Sequence, residues 1–160
     1  ILPSDIPRIV ELYNALYIEK YSQHNPKFTH SYIEMIIEHP NFYIEGFRGK
    51  NGVLDAVGGR FEMDGIVTLP IVGYDTNKPT KLGLYRLLVI STMQYTEDKN
   101  LIFNASSGAS KFKLLRGATP YIEYSAIYSK HLLFGRRLIW QVLQVLLKHI
   151  FIPIVKRYKL

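Results

Sequence analysis

The sequence contains no cysteine in its 160 residues. Disulfide staples, thiolate metal sites and cysteine nucleophiles are therefore excluded, and a reducing compartment is compatible with the chain. It shows no internal repeat, no low-complexity tract and no signal-peptide pattern, and it starts at Ile1 without a methionine, which suggests a domain cut from a longer polypeptide. Acidic residues are scarce, 13 Asp and Glu against 20 Lys and Arg, for a formal charge of +7. Such a balance favours acidic partners such as phosphorylated cofactors or an anionic membrane face. Nucleic acid is not expected, because the cations are scattered and no recognition motif with interleaved aromatics occurs. His24, His30 and His39 lack the local spacing of metal ligands, so no metal is assigned.

What is present is material for a core. The chain is 48% hydrophobic and 13% aromatic, enough for one packed domain. After an extended Ile1-Leu2-Pro3, Ser4 or Asp5 caps a helix with Ile6, Ile9, Val10, Tyr13, Leu16 and Tyr17 on one face, Pro7 falling in its first turn. The Tyr13, Tyr17, Tyr21 series reads as core and rim packing. A polar connection through Pro26 leads to a second helix from about Thr29 to Glu38.

The period then changes to two. Phe42 to Arg48, Val53 to Met63 and Ile66 to Tyr74 read as an antiparallel meander, with Asn51-Gly52 and Asp64-Gly65 as turns. Gly58-Gly59 suggests a bulge or the close approach of another backbone. A basic loop follows, then helical periodicity from Leu82 to Tyr95.

Leu101 to Phe103 reads as a buried strand running into the turn Asn104-Ala105-Ser106-Ser107-Gly108, with Ser110 to Gly117 as a short helix. A helix N-terminus behind a Ser/Gly turn collects anions, because its first N–H groups lack partners at the positive end of the dipole. Ser106, Ser107, Gly108 and Lys111 are the candidate seat, with Lys113 and Arg116 beside them; the alternative is a serine-rich turn with solvated cations. Tyr121 to His131 alternates and reads as a strand. Leu133 to Ile152 is apolar but interrupted by Gln141, Gln144 and Lys148, so an amphipathic helix is expected rather than a spanning one. It would pack on a neighbouring domain or lie on a membrane surface.

Helix, helix, three antiparallel strands, helix, strand, helix, strand is the element order of the GNAT superfamily of N-acyltransferases, which residues 1–131 resemble. Asn100 to Tyr124 further resembles bacterial acyltransferase-like domains related to the Fem-type aminoacyl transferases, through Asn104-Ala105-Ser106-Ser107-Gly108 and Phe112-Lys113 up to Gly117. The resemblance implies a mixed α+β, three-layer fold with a mostly antiparallel sheet, residues 132–160 adding a basic amphipathic helix and tail. It implies acetyl-CoA or another acyl-CoA as co-substrate, without a metal, and an amine acceptor on a small molecule or cell-envelope precursor. A cytoplasmic enzyme, peripheral at the inner membrane face and paired with a second domain or copy, fits that picture.

By the same resemblance the pyrophosphate of coenzyme A would sit at Asn77 to Leu84, with Lys81, Gly83 and Arg86 as contacts. Of the loop pattern of the family Gly83 is present, and Tyr85 stands where relatives have a small residue. Backbone N–H groups around Val72 would meet the developing oxyanion, and Asn104 would contact the leaving group. Amide formation also needs a proton acceptor and a proton donor. Glu62 or Asp75 is the candidate base and Tyr128 a candidate acid, each with an ordinary alternative role in a strand face, a turn or packing.

Overall fold

In the computed structural model, which describes residues 1–106 and 110–158, the chain divides into two compact units, Ile1–Gly117 and Ala118–Leu160. The first opens with α1 (Ile6–Asn14), where Pro7 sits in the first turn and needs no hydrogen bond to its missing N–H. Its apolar stripe, Ile6, Ile9, Leu12 and Tyr13, is buried. The helix runs on as a wider π-type turn over Ala15–Tyr21, a distortion that recurs at functional sites. Thr29 Oγ1 accepts the N–H of Tyr32 at 3.1 Å and so starts α2 (His30–Ile37), which buries Ile33 and Ile36 in the same cluster as α1.

β1 (Phe42–Arg48), β2 (Leu54–Met63) and β3 (Ile66–Tyr74) form the expected meander, and Gly52 and Gly65 take the positive φ values of +79° and +77° that their turns require. After α3 (Leu84–Asp98) the chain returns as β4 (Ile102–Asn104), parallel to β3, giving the order β1-β2-β3-β4. Successive strand residues face opposite sides. A Cβ on Gly73 would lie 2.8 Å from the backbone of Leu12 and Tyr13, whereas a Cβ on Gly58 would meet Leu88 at 3.1 Å. Since Gly58 pairs with Val72, α1 and α3 cover opposite faces, and the sheet is the middle of three layers. The close backbone approach thus falls at Gly73. Gly58 and Gly59 make room for the side chains of Leu88 and Phe42 instead.

α4 (Ser110–Leu114) runs out into a turn over residues 115–117, which Gly117 closes with φ +80° rather than standing as the C′ glycine of the helix. Beyond it, the expected strand from Tyr121 to His131 does not form: residues 118–129 carry no ladder and no helix. Alternation alone cannot make a strand, which exists only where an edge supplies partners for its backbone. The compact units accordingly divide at Gly117, ahead of the boundary at residue 131 suggested by the pattern. In the second unit α5 (Phe134–Leu146) continues through a wide turn, Leu147–Phe151, into α6 (Ile152–Tyr158). The helix passes Pro153 instead of stopping there, because the widened turn before it accommodates the ring and the missing donor.

Candidate functional site

β3 and β4 share three ladder pairs, Ile66 with Ile102, Val67 with Phe103 and Thr68 with Asn104, and then part. Each strand carries a cause. On β3 the register against β2 shifts between Gly59↔Ile71 and Phe61↔Thr68, so Leu69 and Pro70 together oppose Arg60. That extra residue is a β-bulge, which bends the strand, and Pro70 has no N–H to offer a ladder there. On β4, Asn104 Oδ1 accepts the N–H of Ser106 at 2.8 Å and Ser106 adopts φ +57°, so the chain turns away at once.

The fork holds a cleft of about 380 Å³ between Leu69, Val72, Tyr17, Tyr85, Phe103 and Phe112, with Asn104, Ser106 and Lys113 on its polar side. One edge of β3 faces into it. Asp75 N–H donates to Asp55 O at 2.8 Å, so in this antiparallel ladder the pairs Val57 with Gly73 and Gly59 with Ile71 exchange bonds. The N–H of Val72 therefore points to the opposite edge, where β4 no longer pairs among the described residues.

The polar side is built by α4. Lys113 Nζ donates to Ser106 O at 2.8 Å, and Arg116 donates to Phe112 O at 2.8 Å with its guanidinium 3.5 Å from the Phe112 ring centroid. Tyr85 packs on Phe112 with centroids 5.5 Å apart. Burial, reinforced by neighbouring tyrosines, pushes the phenols of Tyr17 and Tyr85 above their ordinary pKa. Both are therefore protonated hydrogen-bond donors at neutral pH.

Tyr85 also links the cleft to the start of α3. Gly83 occupies the N-cap with φ +63°, no side chain caps the helix, and its first bond is Leu87 N–H to Gly83 O at 3.0 Å. The N–H groups of Leu84, Tyr85 and Arg86 are left outside the helical ladder. Lys81 and Arg86 are exposed beside them, and Arg86 folds so closely over Gly83 that a Cβ there would lie 2.9 Å from its Nε.

Of the residues singled out in the sequence, Val72, Asn104 and Ser106 line the cleft, and Lys81, Gly83 and Arg86 gather at the head of α3. The others lie elsewhere. Glu62 accepts from the Tyr95 hydroxyl at 2.6 Å with Lys99 Nζ at 3.6 Å, and Asp75 pairs with Arg8 at 3.0 Å and accepts the Asn77 N–H at 3.0 Å. Neither carboxylate lines the cleft. Tyr128 belongs to the second unit, 71% exposed and stacked on His131. Lys111 is exposed on α4 outside the cleft lining, and Ser107 and Gly108 lie outside the described residues. The cleft in turn uses Tyr17 and Tyr85, which pattern reading assigned to packing and to an unfavourable loop position. The steps of four run from core to rim, with Tyr13 buried, Tyr17 partly buried and Tyr21 exposed, and only the fork reveals which ring meets the opening.

No family model and no curated protein sequence matches the chain. Solved structures do match its fold. A protein of Agrobacterium tumefaciens assigned as an acetyltransferase superposes with a TM-score of 0.61 at 16% identity, over 80% of this chain and 96% of that one. An aminoglycoside acetyltransferase from an uncultured soil metagenomic sample, in complex with sisomicin, gives 0.52 at 15% identity over 83% and 93%. The ribosomal-protein-S18-alanine N-acetyltransferase of Escherichia coli gives 0.53 at 13% identity over 73% and 72%. The chain thus has the mixed α+β fold of the GNAT-type acetyltransferases.

Proposed function

We propose that the chain is an acyl-CoA-dependent N-acyltransferase that passes an acyl group from a thioester to an amine. The observation that carries this reading is the fork itself: an apolar slot beside an unpaired β3 edge, with the Val72 N–H directed into it. Acyl-CoA fits the residues present, since the uncapped head of α3 with Lys81 and Arg86 suits a pyrophosphate, and the slot suits an unbranched arm. Its chemical contribution is an activated carbonyl.

Val72 N–H donates to the carbonyl oxygen as charge develops on it, a form of stabilisation worth about 10² to 10³ in rate per donor. Tyr17 or Tyr85, kept protonated by burial, supplies the proton for the departing thiolate. Asn104 fixes the turn that holds the fork open. With no carboxylate in the cleft lining, the amine loses its proton to water.

The acceptor is a small molecule or a cell-envelope precursor, in line with the Fem-type resemblance of Asn100 to Tyr124 and with a neighbour solved with sisomicin. A cytoplasmic protein working near the inner membrane face, with a second domain or copy, belongs to the same reading. The missing carboxylate also favours a second one: a non-catalytic module that binds the ligand without turnover.

Calorimetry with coenzyme A and acetyl-CoA, coupled to thiol release over a panel of amines, tests both. Saturable binding weakened by Lys81→Ala and Gly83→Ala, with kcat falling about 10²-fold in Tyr17→Phe or Tyr85→Phe, is the expected result. Binding without turnover would establish the module, and no binding at millimolar ligand would remove both.

A further inference from the structure

The second unit holds seven of the 20 Lys and Arg but one of the 13 Asp and Glu, Glu123, so a charge of +6 out of the +7 of the chain resides in residues 118–160. Its continuous helix, Phe134–Arg157, has 24 residues and a mean hydropathy of 1.8 over its most apolar stretch, none of it buried. At about 1.5 Å per residue it is long enough to cross a bilayer. Along its middle, however, most polar residues fall on one line: Arg137, Gln141, Gln144 and Lys148 recur at steps of four and three, while His149 falls on the Val142 side.

Most of that line faces residues 118–129, an irregular arm. Gln141, Gln144 and Lys148 line a groove of about 610 Å³ opposite Glu123, Ser125 and Ser129. Leu138, Val142, Val145, Leu146 and Ile150 lie outside the groove and are exposed. The arm has no ladder, so its backbone N–H and C=O groups require water. In hydrocarbon each such group would cost several kcal/mol, which forbids irregular chain at membrane depth against lipid.

We propose that the second unit docks on an anionic bilayer surface, the helix lying in the interface with the Val142 side down and the arm on the water side. The occupant is lipid because only a negatively charged apolar boundary complements both the open face and the +6 charge; a second copy of this unit would repel the first. Lys130 and Arg136 near one end and Lys156 and Arg157 at the other are placed to reach headgroup phosphates. Nothing in this proposal depends on the transferase reading.

The test uses the full chain and reads its co-sedimentation with vesicles. Vesicles of phosphatidylcholine and phosphatidylserine in equal parts are compared with pure phosphatidylcholine. Expected is co-sedimentation with the mixed vesicles only, weakened by salt and reversed by alkaline carbonate. Val142→Asp with Val145→Asp weakens vesicle binding about 100-fold, whereas Gln144→Ser leaves it unchanged. Both valines are half-exposed, at 49% and 57%, so the double variant keeps its far-ultraviolet dichroism. No binding to the mixed vesicles, carbonate-resistant insertion, or lipid-free self-association abolished by the double variant would each overturn the proposal.

Discussion

At Gly73 the backbone of α1 comes so near β3 that a single methyl group has nowhere to go. A Cβ there would sit 2.8 Å from Leu12 C and Tyr13 N, main-chain atoms that cannot rotate aside. At Gly58 the nearest atom is the end of the Leu88 side chain, at 3.1 Å, which can shift by a few tenths of an ångström. Gly73→Ala is therefore expected to cost about 3 kcal/mol and Gly58→Ala about 1 kcal/mol, read as the difference in denaturation midpoints. The residue matters to the site as well as to the core. Gly73 follows Val72, so pushing α1 off β3 displaces the edge whose N–H enters the cleft, and the alanine variant should lose ligand affinity along with stability.

At the scale of elements, the head of α1 is tied to the end of β1. Arg48 Nη2 donates to Asp5 Oδ2 at 2.5 Å, and Leu2 N–H donates to the same oxygen at 2.7 Å. The Arg48 hydrogen bond, helped by that N–H, holds the Asp5 carboxyl below the usual carboxylate range. A depressed folded-state pKa contributes stability that is complete above the unfolded value and is lost as pH falls through the folded one. Unfolding free energy should therefore decline below about pH 4, and Asp5→Asn should flatten that limb while lowering stability at neutral pH. Elements of this first unit were legible because each meets its partner nearby in sequence. Thr29 caps α2, Asn51-Gly52 and Asp64-Gly65 close the hairpins, and period-two runs fill β1 to β3. The fork was legible only in part: Asn104 marks its end, while Pro70 announces the bulge solely once its register against Arg60 is known. The 121–131 segment misled because its alternation is genuine but no edge among the described residues pairs with it. Glu62 and Asp75 misled because the partners that occupy them, Tyr95 and Arg8, lie far away in sequence.

Across the whole molecule, apolar burial and charge are divided between the two units. Every buried hydrophobic residue lies between Ile6 and Val89, whereas the second unit contributes none among the described residues and keeps almost the entire positive excess. Cooperative unfolding follows buried apolar area, so the thermal transition should belong to the first unit. Proteases cut where backbone is exposed and lacks a ladder. Residues 118–129 meet both conditions, and exposed Lys130, Arg136 and Arg137 follow directly. Brief trypsin treatment should accordingly cleave first at one of those three, ahead of Lys27 or Lys50, and leave an N-terminal fragment that unfolds at the same midpoint as the intact chain. Early cutting before Gly117, or loss of the transition once the basic helix is released, would show that the helix holds the first unit together. Survival of the transition would instead separate the two roles physically: a fork that binds and a cationic helix that locates.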